Sequence, residues 1–394
     1  MSNQTSVIEF LSSHKIDQAR ALLQDPANLP QSLEGVRLTS IFDTLVREKA
    51  FDIIMMFVDN KLIETDIYEY ERLSGSFFES LFRNLKGDED SIAFLKALLP
   101  KLSSLNDAVA NETVLSLALS LKVDPAIVKQ LLEEGIDATL VNNAEDTYLH
   151  QISKDQMMPA DLINEYAQLL IDAVVDVNAA NIVKETPLMT AISRNKKELV
   201  QLLMENGAQP NEENKDGETS YYQIVVHQSS PELYKIVNKF EKPDFYKKNK
   251  NGQDFFIEYL RRINKASEST ISLLKTMLED GADLLQTSIY YSTETNGYDV
   301  MAEKSFDIFE LLLKADGTDP NYLDNNGNTL LHKVCAYNIN YDQDAARDCY
   351  KKTKLLLEMG VDAQAVNNAD QTAIMLASTD NLKSKTVELL LSKA

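Results

Sequence analysis

Five glycines in this chain are each followed twelve residues later by a threonine: Gly135 by Thr147, Gly207 by Thr219, Gly281 by Thr293, Gly317 by Thr329 and Gly360 by Thr372. Two further stretches keep the register without the glycine, from Val174 to Thr186 and from Lys242 to Asp254. A spacing that does not slip across so much of a 394-residue chain means one local structure used repeatedly. That points away from a single globular core and toward a stack of small units.

The flanking residues say what is repeated. Before each glycine runs an apolar phrase, as in IVKQLLEEGID (127 to 137), LVQLLMENGAQ (199 to 209) and IFELLLKADGTD (308 to 319). Its apolar residues fall at i, i+1, i+4 and i+5, for example Ile127, Val128, Leu131 and Leu132, which places them on one face of a helix. The glycine that follows can take a left-handed conformation and close that helix. After each Thr a second short apolar run begins: TVLSLALSL from Thr113, TYLHQI from Thr147, TPLMTAI from Thr186 and TLLHKV from Thr329. Thr or Asp at that position can accept a free N–H of a helix's first turn. Pro187, directly after Thr186, sits where a helix loses no bond to proline.

This unit resembles the ankyrin repeat, a turn and two helices opening with T-P-L-H-x-A. Thr147 with His150 and Thr329 with His332 keep both ends of the motif, Thr186-Pro187-Leu188-Met189 lacks the His, and Thr372-Ala373-Ile374-Met375 keeps the Thr alone. The fullest copy is DNNGNTLLH, residues 324 to 332. The resemblance implies an all-α solenoid of stacked helix-turn-helix repeats with finger-like turns, and a local hydrogen-bonding role for His150 and His332. Units starting at 113, 147, 186, 219, 254, 293, 329 and 372 give periods from 33 to 43 residues. Because the glycine-to-threonine stretch is constant, extra residues belong in the two helices or the loop joining them, most clearly in NINYDQDAARD, residues 338 to 348.

Residues 1–394 are therefore expected to form one solenoid: capping helices over 1–38, degenerate repeats over 39–106, and about eight recognisable repeats over 107–394, the last a C-terminal cap. Thr39, Ser76 and Thr113, each 37 apart, mark the degenerate region. Residues 6 to 24 read as a helix pair turning at Ser12, Ser13, His14 and Lys15.

Charge narrows the function. With 61 acidic against 39 basic residues the net charge is −22, which disfavours nucleic acid and anionic membranes as partners. No apolar run reaches the roughly 18 residues of a membrane span, and the first residues lack a secretory pattern. Cys335 and Cys349 form no ligand or disulfide motif and read as structural thiols of a reducing compartment. A cytoplasmic monomer is expected, with export by a signal-free route as the alternative.

No zinc, dinucleotide, P-loop or nucleophile-elbow motif occurs, so no catalytic residue, metal site or cofactor is expected and an enzyme is disfavoured. Acidic clusters such as Glu133 and Glu134, or Asp88, Glu89 and Asp90, read as solvated helix ends, and Asp324 to Asn328 as a turn. What remains is a surface. In the ankyrin family the fingers and first helices line a concave face, and its variable positions transfer here to Lys215, His227, Lys250, Asn251, Arg261, Arg262, Tyr290, Asn325 and Tyr337. Residues 233 to 266 carry nine Lys or Arg against four acids, a local reversal of the overall charge. The resemblance therefore implies a non-catalytic scaffold binding a protein through that face. One alternative is an inhibitor or immunity-type protein that masks a basic toxin or enzyme. A second is an effector or enzyme with its site in the N-terminal 100 residues.

Overall fold

The computed structural model describes residues 3–33 and 38–393. It divides into two compact units, Met1–Ala208 and Gln209–Ala394. Each is a row of helix pairs. In the first unit the pairs are Asn3–Ser12 with Ile16–Leu23, Leu38–Arg47 with Phe51–Asp59, Phe77–Asn84 with Glu89–Leu98, Val114–Ser120 with Pro125–Glu133, Tyr148–Lys154 with Ala160–Asp172, and Pro187–Ser193 with Lys197–Glu205. In the second, Ser220–Tyr222 widens into a π turn over Gln223–Gln228 and pairs with Pro231–Asn238. Phe255–Arg262 with Glu268–Glu279, Gly297–Met301 with Phe306–Leu313, Leu330–Ala336 with Gln343–Glu358, and Ala373–Ala377 with Ser384–Leu391 follow.

Within a unit, most second helices pack on second helices and most first helices on first helices, so the core runs along the row as a seam. Two residues after six of the caps, Leu115, Leu149, Leu188, Tyr221, Phe256 and Leu331 have no exposed surface, and Ile374 after the last, Thr372, is half-buried. The second helices bury Ile127, Val128 and Leu131, Leu199, Val200 and Leu203, or Ile308, Phe309 and Leu312. Each such side chain contributes about 1.5–3 kcal/mol by leaving water, and part of that contact comes from the neighbouring pair.

The threonine column caps helices. Thr113, Thr147, Thr186, Thr219, Thr329 and Thr372 each accept the N–H three residues on, as Asp254 does from Ile257 at 2.8 Å. Gly135, Gly207, Gly281, Gly317 and Gly360 are all left-handed, and Val174 adopts the same conformation (φ 67°). Lys242 does not, because its helix has already ended at Asn238. Ser76 caps Phe77–Asn84 through the N–H of Phe78, whereas Thr39 lies inside the first turn of a helix that starts at Leu38.

Thr293 departs from the expectation. It lies in a two-stranded antiparallel hairpin, β1 (Thr287–Tyr290) and β2 (Thr293–Asn296), and the following helix is capped by Asn296. The reason is local. In the other copies from Thr147 onward an Asn or Asp five residues before the cap, Asn142, Asn181, Asn214, Asn249, Asp324 or Asn367, folds the finger by accepting two backbone N–H groups with one oxygen. Ser288 stands at that position here, and Tyr291 and Ser292 are both left-handed (φ 45° and 64°), the geometry of a tight two-residue hairpin.

The inserted residues 338 to 348 form a loop, with Asn340 and Tyr341 left-handed, and then extend the second helix to sixteen residues over Gln343–Glu358.

A second repeated bond has no counterpart in the motif. Near the start of the second helix, or within it, a lysine reaches back to the carbonyls that end the preceding pair's first helix. Lys196 binds the carbonyls of Ile152 and Asp155, Lys304 that of Arg261 (3.1 Å), Lys352 that of Ala302 (3.0 Å), and Lys383 those of Cys335 and Tyr337 (2.8 and 2.6 Å). Lys304, Lys352 and Lys383 are buried. Each ammonium satisfies carbonyls left open at a helix C-terminus, where the helix dipole also favours positive charge.

Candidate functional site

The fingers of the second unit are built outward from the Asn and Thr columns. In the finger before Asp254, Asn249 Oδ1 accepts the N–H groups of Asn251 and Gln253 (2.9 and 3.0 Å), which turns the chain at the exposed tip formed by Lys250 and Asn251. Adjacent fingers are joined by backbone: Lys250 N–H donates to Asp216 O (2.8 Å), Ile289 N–H to Gly252 O (3.0 Å) and Asn368 N–H to Asn326 O (2.9 Å). Gly217 is required for this approach, since a Cβ there would meet Lys250 N at 3.0 Å and its φ is 72°.

The motif histidines join finger to helix. Thr147 N–H donates to His150 Nδ1 (3.1 Å), and His150 Nε2–H donates to the carbonyl of Glu185 in the next finger (2.9 Å). A carbonyl can only accept, so the ring is held as the neutral Nε2–H tautomer. Burial accordingly pushes the His150 pKa down. His332 repeats the arrangement with Thr329 and the carbonyl of Gln371. Thr186 accepts from Met189, with Pro187 buried behind it.

The surface residues named from the sequence divide into two kinds. Lys215, Lys250, Asn251, Asn325, His227 and Arg262 are exposed. Several of them are nevertheless engaged within the unit: Lys250 lies 3.9 Å from Asp216, His227 Nε2 is 3.0 Å from Glu218, Arg262 donates to the carbonyl of Val226 (2.9 Å), and the Asn325 carbonyl accepts from Asn368. Elsewhere in the basic stretch, Lys247 pairs with Glu213 and Lys242 with Asp280, so much of its charge is neutralised locally.

Arg261 is of the other kind. Its side chain is 11% exposed, paired with the equally buried Glu258, hydrogen-bonded to Thr295 and within 3.4 Å of the Ser288 carbonyl, and covered by the Tyr290 ring at 4.5 Å. It is the bracket that fastens the hairpin to the helix Phe255–Arg262. Tyr337 is half-buried, and its carbonyl is one of those held by Lys383.

The hairpin also exposes residues the motif did not select. Tyr291 is 87% exposed, with Ile289 and Tyr290 beside it; Leu285, just before the hairpin, and Tyr246, at the equivalent place in the preceding finger, are 53% and 83% exposed. Their cue in the sequence was the tyrosine-rich SIYYSTETNGYD. Asp254 is the remaining anomaly. It replaces Thr as a cap, is fully buried, and leaves Oδ2 without a partner. Burial raises its pKa to about 7, the backbone bonds to Ile257 and Phe256 opposing this. No group of three or more His, Cys, Asp or Glu suited to a metal ion occurs among the described residues. Nor, among them, is any helix long and apolar enough to cross a membrane.

Comparison with known proteins gives a family. The profile described as ankyrin repeats (3 copies) matches residues 115–214, 157–242 and 298–394, more than half of the chain. An ankyrin repeat protein of Acanthamoeba polyphaga mimivirus is 32% identical over 143 residues, 36% of this chain; the chain spans about a fifth (21%) of that curated relative's length. Among solved structures, the ankyrin repeat domain of Bcl-3, a member of the IkappaB protein family, is 21% identical with a TM-score of 0.48, covering 63% of this chain and 98% of that one. The human ASB11 ankyrin repeat domain is 16% identical with a TM-score of 0.42, covering 63% and 98%.

Proposed function

The chain belongs to the ankyrin-repeat family, whose repeats are generally protein–protein interaction modules, and from that premise we propose that it is a non-catalytic scaffold whose second unit binds a protein partner through its fingers and first-helix ends. The contact residues are Lys215, His227, Lys250, Asn251, Arg262, Tyr290 and Asn325, joined by Ile289 and Tyr291 of the hairpin. Arg261 and Tyr337 hold this surface in shape rather than touching the partner.

One observation carries the reading. Exposed aromatic and aliphatic side chains at Ile289, Tyr290 and Tyr291 stand on a hairpin that is pinned from beneath by Arg261 and tied by backbone to the neighbouring finger. Aromatic groups held rigid in this way lose little freedom on binding, and Tyr and Arg are the residues most often found at energetic centres of interfaces.

The test is affinity capture with the full chain carrying Lys250→Glu, Arg262→Glu and Tyr291→Ser together. Lys275→Glu, on the second-helix side, serves as control. A partner retained by the wild type and the control and lost by the triple variant supports the proposal, and retention by all three sinks it. Repeating the capture at high salt separates the charged contacts, which weaken, from the aromatic ones.

A further inference from the structure

The two cysteines of the chain lie in one repeat and face each other across its two helices: Cys349 Sγ donates to the carbonyl of Val334, the residue before Cys335 (3.6 Å), and Thr353, one turn on from Cys349, reaches Cys335. Cys335 is in the last turn of Leu330–Ala336 and Cys349 in the second turn of Gln343–Glu358; both are buried and both are free thiols. Thr353 Oγ1 lies 4.0 Å from Cys335 Sγ, and Thr386 Oγ1 donates to Cys349 Sγ (3.8 Å). Two buried ammonium groups act on Cys349 through their charge: Lys383, fixed to the carbonyls of Cys335 and Tyr337, and Lys352, fixed to that of Ala302.

These neighbours give the thiols unequal roles. The neighbouring Cys335 thiol is the largest influence lowering Cys349, whose pKa falls to about 7 with the help of Thr386, Lys383 and Lys352. Cys349 beside it, with burial, pushes the Cys335 thiol up and keeps it protonated. A thiolate beside a protonated second thiol is the arrangement in which one sulfur attacks an oxidant and the other resolves the product.

We propose that Cys335 and Cys349 form an oxidisable dithiol, a modification site at which a hydroperoxide converts the pair into an intrachain disulfide joining the two helices of this repeat. The Cys349 thiolate attacks one peroxide oxygen, the O–O bond breaks, and the departing oxygen takes a proton and leaves as water or an alcohol, giving Cys349 sulfenic acid. The sulfur of Cys335 then attacks Cys349 Sγ. Its proton goes to the displaced hydroxyl, which leaves as water, and the S–S bond forms. Two thiols lose two electrons and two hydrogens, and the peroxide gains them. Oxidation also removes the anion beside Lys352 and Lys383, so the disulfide changes the charge of the repeat's interior as well as its connectivity.

The experiment uses the full folded chain, reduced and then given a small excess of hydrogen peroxide, followed by proteolysis and mass spectrometry without reductant. The expected product links the peptide of Cys335 to that of Cys349 with the loss of two hydrogens, and the thermal midpoint rises and returns on adding dithiothreitol. In Cys335→Ser the reaction stops at a sulfenic acid on Cys349 that dimedone traps, while Cys349→Ser leaves Cys335 as the thiol at the same dose. If both native thiols survive a dose that oxidises them in denaturant, or if only disulfides between chains form, the proposal is wrong. The wild-type measurement decides this even where a variant fails to fold.

Discussion

The ring of Tyr290 lies 4.5 Å from the guanidinium of Arg261, and the same cation is paired with the buried carboxylate of Glu258. Arg261 thus connects a helix to a hairpin: the ion pair with Glu258 holds it to its own helix, and the Tyr290 ring and the hydrogen bond to Thr295 hold it to the hairpin. Arg261→Ala leaves Glu258 buried and unpaired, and should destabilise the chain by about 3–5 kcal/mol, with early hydrogen exchange over residues 287–296. Arg262→Ala removes one bond to the Val226 carbonyl at an exposed position and should cost less than about 1.5 kcal/mol. Denaturant unfolding of the two variants measures the contrast, and equal losses would contradict the separate roles given to the two arginines.

Asp254 makes the second unit sensitive to alkali. Its pKa is about 7 in the fold against an ordinary 3.8, so the folded state holds a proton that the unfolded state releases, and the stabilisation is full below about 4 and lost as pH rises through 7. Asp254→Thr restores the cap used elsewhere and removes the unpartnered oxygen. The variant should be more stable than wild type at pH 8 by about 1–3 kcal/mol, and the two should converge toward pH 4. A variant less stable than wild type at pH 8 would show that Asp254 has a partner there.

His150 gives the opposite slope. Its depressed pKa means that the unfolded state takes up a proton first, so stability is complete above about 6.5 and falls as pH drops below it. Protonation would set Nδ1–H against the N–H of Thr147. His150→Gln should flatten this acid-side decline between pH 6.5 and 5 while lowering stability at pH 7.5 by about 1–3 kcal/mol, readable from urea midpoints across the range.

Two residues before the cap, the fingers are left-handed. Glycine fills that position at Gly217, Gly252 and Gly327, but Glu145, Lys184 and Asp370 also occupy it, at φ 60°, 58° and 54°. An L-residue there costs roughly 1–2 kcal/mol, partly offset by the extra freedom a glycine has when unfolded. Lys184→Gly should therefore raise the thermal midpoint, by up to about 1 kcal/mol in stability, whereas Gly217→Ala, which collides with the backbone at Lys250, should lower it.

The sequence revealed the parts of this architecture that are written as spacing. A constant twelve-residue interval located the caps and glycines because helix ends demand particular residue types. The Asn column was equally visible in principle, as Asn142, Asn181, Asn214, Asn249, Asp324 and Asn367 share one register. Ser288, the exception, marks where the finger gives way to a hairpin. That hairpin was illegible because its turn, Tyr291-Ser292, lacks the Asn or Gly that usually signals left-handed pairs. Buried lysines were illegible for another reason: Lys352 and Lys383 look like solvated charge until the carbonyls they bind are placed beside them. For the same reason Arg261 and the local reversal of charge over residues 233 to 266 were legible only as composition, without the partners Glu258, Glu213 and Asp280 that the fold sets beside Arg261, Lys247 and Lys242.

The lysine tethers make neighbouring repeats answerable to one another in a way that shared oil does not. Apolar faces forgive sliding, whereas an ammonium enclosed between two carbonyls has one address. Removing the last helix pair would take Lys383 with it and strand the carbonyls of Cys335 and Tyr337, so the penultimate repeat would inherit two unmet bonds along with a bare flank. Repeats joined like this are poor material for trimming or shuffling, because every excision cuts a debt into the unit left behind.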